Sequence, residues 1–107
     1  MFTRVVEIET MAGKGRDFVS AMNEKVLPIL KKQSGFADEI MLVGSTDPDR
    51  ILTLTFWQTE ADAELYNREY SSQVSEILKP LYERAPTVTT YNVDTSTTHA
   101  IAAGKAA

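Results

Sequence analysis

Cysteine is absent from the chain. That excludes a disulfide framework, a thiolate metal site and a thiol nucleophile, and it fits a cytoplasmic location. Histidine occurs once, at His99. One terminal histidine builds no metal cluster, so no metal site is expected, and no Ser–His–acid set stands out. Long apolar runs are missing too: none approaches the ~20 residues needed to cross a bilayer. The first residues, MFTRVVEIET, carry glutamates where a signal peptide keeps an apolar core. No membrane partner is therefore expected. Basic residues are scarce and scattered: 11 Lys and Arg against 15 Asp and Glu give a formal charge of -4, with Lys31-Lys32 the only adjacent pair. Nucleic acid needs a concentrated basic surface and is not an expected partner.

What remains is ordinary for one soluble domain: 107 residues, 43% hydrophobic and 24% charged. The chain is built around Arg50 to Tyr70, RILTLTFWQTEADAELYNREY, which reads as strand, turn and helix. It holds the only tryptophan, Trp57, and two of the four tyrosines, Tyr66 and Tyr70. Alternation puts Leu52, Leu54 and Phe56 on one face of the strand and Ile51, Thr53, Thr55 and Trp57 on the other. Thr59, followed three residues on by Asp62, fits a helix N-cap. An aromatic at a strand end feeding an aromatic helix suits the wall of a small-molecule pocket, and suits an ordinary core better still.

Taken in order, Phe2 to Glu9 reads as a first strand, with Phe2, Val6 and Ile8 on one face and Arg4 the exception among them. Gly13 and Gly15 mark a turn; Gly-Lys-Gly lacks the rest of a phosphate-binding pattern and reads as a connection. Asp17 to Gln33 predicts an amphipathic helix on Phe18, Met22, Val26, Ile29 and Leu30, with Pro28 expected to kink it or open a new turn. Gly35 suits its C-cap. Phe36 to Ser45 predicts a second strand, paired with the third across the turn Thr46-Asp47-Pro48-Asp49. In the following helix Ala61, Leu65 and Tyr66 are expected inside, and Tyr66 and Tyr70, four residues apart, are expected to stack. Ser71-Ser72 is expected to break that helix, and Pro80 to bend the next one. Thr87 to Thr98 reads as a last strand, long enough to suggest pairing with a second chain. The domain is expected to span 1–98, with 99–107 a flexible tail.

Strand, helix, strand, strand, helix, strand is the split βαβ order of an α+β, ferredoxin-like domain with an antiparallel sheet. Both faces of the third strand carry bulky residues, while the helices cover only one. Burying the second face against another copy makes a homodimer the expected assembly.

The chain resembles the antibiotic biosynthesis monooxygenase family of the dimeric α+β barrel superfamily. The residues that carry the likeness, over about 2 to 94, are V-L-P-I-L in the first helix, S-G-F before the second strand and, above all, F-W-Q-T-E-A-D-A-E-L-Y. The resemblance implies a homodimer whose two sheets close into a barrel, with a pocket between sheet and helices in each subunit. Some such relatives oxygenate hydroxyaromatics or quinols with neither metal nor flavin; others cleave haem. Trp57 matches the strand-end tryptophan. Tyr66 stands where haem-cleaving relatives place a second tryptophan, and Glu76 where they place the iron-ligating histidine. Their first-strand asparagine has no counterpart in TRVVEIET, so haem cleavage does not fit. The implied activity is a cofactor-independent monooxygenase acting on a small hydroxyaromatic or quinol-type substrate, with Trp57, Tyr66 and Asn67 as catalytic residues and Tyr70, Met22 and Phe18 as substrate contacts. The same residues also fit a non-catalytic dimer that binds a small hydrophobic molecule, or one that is purely structural. The acids Glu60, Asp62 and Glu64 read as helix-dipole partners rather than as metal ligands.

Overall fold

The computed structural model describes residues 1–101. Four strands, β1 (Phe2–Glu9), β2 (Phe36–Val43), β3 (Arg50–Trp57) and β4 (Thr87–Asn92), form one sheet in the order β2-β3-β1-β4. Every neighbouring pair is antiparallel. Between β1 and β2 run α1 (Gly15–Ala21), a π-helical turn (Met22–Val26) and α2 (Leu27–Lys31); between β3 and β4 run α3 (Glu60–Leu78) and a 3-10 turn (Lys79–Leu81). This is the ferredoxin-like α+β arrangement, with both helical layers on one face of the sheet.

The first helical layer shows why the π-turn exists. Its inward side chains, Phe18, Met22, Val26 and Leu30, are spaced by four residues and all are buried. On a regular α-helix such positions drift by about 40° per step. The wider π-turn takes up that drift and keeps the four side chains over the sheet. Pro28, which lacks an N–H, follows directly and opens α2. Gly35 then takes a positive φ of 79°, the left-handed residue expected after the helix.

The two glycines of the first turn are explained as well. The backbone N–H groups of Gly13 and Gly15 both donate to the Asp49 carboxylate at 2.9 Å, which ties this loop to the β2–β3 hairpin. These two bonds hold the Asp49 carboxyl below its usual range.

Three expectations need correction. Ser71-Ser72 does not break the helix: α3 runs unbroken from Glu60 to Leu78. Serine is only mildly unfavourable inside a helix, and Tyr70, Val74 and Ile77 pack against the core on either side of the pair. The inward residues of α3 are Ala63, Tyr66 and Leu78, whereas Ala61 and Leu65 are exposed. The cap at Thr59 sets that phase: its hydroxyl accepts from the Asp62 N–H at 3.2 Å. Finally, β4 stops at Asn92. The chain then turns back, with a backbone bridge between Ser96 and Ile101. His99 lies against Phe56 at 5.6 Å between ring centroids, and its Nε2 is 3.2 Å from Asp38 Oδ2. The start of the expected tail is thus packed on its own sheet; the rest of it, 102–107, lies outside the described residues.

Register settles which face is which. Trp57, Ile51 and Thr53 of β3, with Phe2 and Ile8 of β1, are buried beneath the helices. Leu52, Leu54 and Phe56 point the other way, beside Val5 of β1 and Ile40 and Leu42 of β2. Ile40 and Leu42 are 40% and 49% exposed, so this second face is apolar and largely open in the single chain.

Candidate functional site

A bulge decides the polar content of the helix-covered face. Phe36 pairs with Trp57 and Asp38 with Phe56, leaving Ala37 unpaired. The extra residue reverses the alternation, so Glu39 rather than Asp38 faces the helices, opposite Thr55. Thr55 in turn pairs with Arg4 of β1, and Arg4 with Thr90 of β4. Glu39, Thr55, Arg4 and Thr90 therefore form one row across the sheet, on the side covered by the helices.

Tyr66 and Tyr82 stand over this row. Burial drives the Tyr66 hydroxyl up to about 12, although the charge of Arg4 pulls it back and Glu39 adds to the rise. Tyr82 is raised for the same reason, again opposed by Arg4. Burial lowers the Arg4 guanidinium from its usual value. It remains a cation, because arginine starts so high. Among the described residues Arg4 makes no salt bridge. Glu39 is raised, chiefly by burial and then by Asp38, with Lys31 opposing. Its Oε2 is buried and has no hydrogen-bond partner among the described residues.

A cleft of about 470 Å³ opens beside Glu39. Asn23, Leu27 and Lys31 form its helical side; Phe36, Glu39 and Met41 form its sheet side. From Phe36 an aromatic column runs inward. Phe36 meets Trp57 edge-on at 5.6 Å, Trp57 meets Tyr66 at 5.2 Å, and Tyr66 stacks on Tyr70 at 5.9 Å. A larger hollow, about 640 Å³, lies at the other end of the sheet around Glu7, Leu42, Arg50 and Arg84, away from every one of these aromatics.

The structure brings together Trp57, Tyr66 and Tyr70, as the sequence suggested. Phe18 and Met22 are buried in the same core, with Phe18 against Tyr82 at 6.2 Å. Asn67 is not with them; it is exposed on the outer side of α3. Trp57 is wholly buried, and its indole N–H donates to Thr55 Oγ1 at 3.0 Å, so it has no free N–H to offer a ligand. Arg4 and Glu39 escaped the sequence reading. Arg4 had left a signal, as the one charged residue on the apolar face of β1. Glu39 had left none, because its orientation depends on the bulge. Among the described residues no group of three His, Cys, Asp or Glu is placed to hold a metal ion, and no helix is long and apolar enough to cross a membrane.

A ferredoxin-like domain with a half-buried acid and cation beneath two tyrosines is the class this geometry defines. The chain belongs to the antibiotic biosynthesis monooxygenase family, whose model matches residues 1–79. Solved structures agree on the fold. The cofactor-independent oxygenase SnoaB from Streptomyces nogalater superposes with a TM-score of 0.78 at 12% identity, over 90% of this chain and 95% of that one. A monooxygenase from the gene ActVA-Orf6 of Streptomyces coelicolor, in complex with nanaomycin D, gives 0.78 at 17% identity, over 89% and 88%. A protein of unknown function from Nitrosomonas europaea gives 0.76 at 13%, over 90% and 91%. At these identities the likeness is one of fold alone. No curated protein matches the chain significantly.

Proposed function

We propose that this chain is a cofactor-independent monooxygenase whose substrate, a small hydroxyaromatic or quinol-type molecule, enters between sheet and helices at the Glu39 cleft. The observation that carries the reading is the unpartnered Glu39 carboxylate on the cleft wall, in one row with the Arg4 cation. Family membership supports it, as do neighbours described as a cofactor-independent oxygenase and as a monooxygenase.

The chemistry needs a base, a stabiliser for the resulting anion and a dry site. Glu39, raised by burial, takes the hydroxyl proton. The neutral Tyr66 hydroxyl donates to the phenolate, and the Arg4 cation, two strands away, lowers the cost of its charge. The electron-rich anion passes one electron to dioxygen; superoxide and the substrate radical combine at the ring CH carbon para to the oxygen, and the proton held by Glu39 returns to give the hydroperoxide. Loss of water from the hydroperoxide leaves a ketone. One dioxygen is consumed, one oxygen atom enters the product and the other leaves as water. Trp57, Phe18 and Met22 act here by packing, Trp57 as the rigid support of Tyr66, with Tyr70 stacked behind. Asn67, being exposed, has no part in the scheme.

The working unit is a homodimer, its interface the open face around Ile40, Leu42, Leu52 and Leu54. Oxygen uptake with a panel of quinols and anthrone-type hydroxyaromatics, in the presence of a chelator, tests the activity. Uptake that falls at least tenfold in Glu39→Gln is expected. No uptake across the panel, with binding retained, would replace the oxygenase by a module that binds a small hydrophobic molecule.

A further inference from the structure

Arg4 is a permanent cation on a face otherwise built of Phe2, Val6 and Ile8, beneath two tyrosines that stay neutral. A partly desolvated charge without a counter-ion is costly. None of the ion pairs among the described residues involves it. On the far side of Thr55, Glu39 presents a buried oxygen with nothing to accept from. Two strand spacings separate the pair, about 10 Å. Arg4 therefore lacks an anion and Glu39, two strands away on the cleft wall, lacks a hydrogen-bond donor, with aromatic rings alongside.

We infer that the substrate carries an acid group as well as its reacting hydroxyl: a flat hydroxyaryl carboxylate, its carboxylate on Arg4 and its hydroxyl on Glu39. The inference rests on the proposed oxygenase site and adds the anion as its specificity element. A guanidinium binds a carboxylate through two parallel N–H bonds, a geometry that a neutral ester or amide cannot reproduce. The fit also fixes the direction of binding, because Glu39 repels the carboxylate and Arg4 attracts it.

Calorimetric titration of the full chain with 6-hydroxy-2-naphthoate, its methyl ester and 2-naphthoate tests this at mildly alkaline pH. The hydroxy acid is expected to bind at least about tenfold tighter than the ester, the worth of one charge-assisted contact. Arg4→Gln should abolish that preference while Arg4→Lys restores part of it, with circular dichroism confirming the fold of each variant. Glu39→Gln should weaken the hydroxy acid and leave 2-naphthoate unchanged. Equal affinity for acid and ester overturns the inference, as does a preference that survives Arg4→Gln, or binding of neither probe by folded protein. A preference for the acid in protein that consumes no oxygen with any hydroxyaromatic would count against the oxygenase and leave the anion site standing.

Discussion

The indole N–H of Trp57 donates to the hydroxyl of Thr55, two residues back on the same face of β3, at 3.0 Å. That bond satisfies the one polar atom of a fully buried tryptophan, and it fixes the ring on which Tyr66 rests at 5.2 Å. Trp57→Phe removes the bond and leaves a small void, so it should cost about 1–3 kcal/mol. Thr55→Val should cost about 1 kcal/mol. In urea denaturation the double variant should lose less than the two losses added together, because both single changes break the same contact. Strict additivity would show that the bond contributes nothing.

Glu39 should make stability fall as pH rises. Burial, the larger cause, and Asp38 raise its folded-state pKa above the unfolded one. The protonated form is therefore favoured in the fold; its contribution is complete below the ordinary carboxylate range and is lost as pH climbs through the raised value. Glu39→Gln should melt higher than the parent chain at pH 8 and about level with it at pH 3. A variant that melts lower at pH 8 would mean that the ionised carboxylate has a stabilising partner.

Gly35 and Gly13 both adopt positive φ, 79° and 78°. They differ in surroundings: a Cβ on Gly35 would run into the Asp62 carboxylate at the start of α3, whereas one on Gly13 meets nothing. Gly13→Ala should cost about 1 kcal/mol, the strain of the backbone alone. Gly35→Ala should cost clearly more, since it also disturbs the bond from the Thr59 hydroxyl to Asp62 Oδ2. Equal melting temperatures for the two variants would contradict this.

The open sheet face should hold a second copy of the chain. Light scattering at micromolar concentration is expected to give twice the chain mass, and Leu42→Glu, on a residue 49% exposed in the single chain, should give a folded monomer. A parent chain that is monomeric at that concentration would remove the dimer from the account.

Strand and helix order were legible in the sequence because alternation, the Thr59 cap and the glycine after the first helix are local signals. The two faces of β3 were separated correctly, but both are apolar, so which one met the helices was left open. The break expected at Ser71-Ser72 gave serine too much weight against the tertiary packing of Tyr70, Val74 and Ile77. The site was half legible. Trp57, Tyr66 and Tyr70 stood out as aromatics at strand and helix spacing, whereas the row from Glu39 to Arg4 exists only once a bulge at Ala37 and three strand registers are in place. Asn67, one residue from Tyr66, turns outward because adjacent residues on a helix point about 100° apart.

The most direct measurement follows the oxygen atoms. Chelator-treated protein supplied with isotopically labelled dioxygen and a hydroxyaromatic that it turns over should place one labelled atom in the product and one in water, read by mass spectrometry. That outcome is the one a metal-independent monooxygenase gives. Product that carries oxygen from the solvent, or turnover that stops when the chelator is added, would contradict the account.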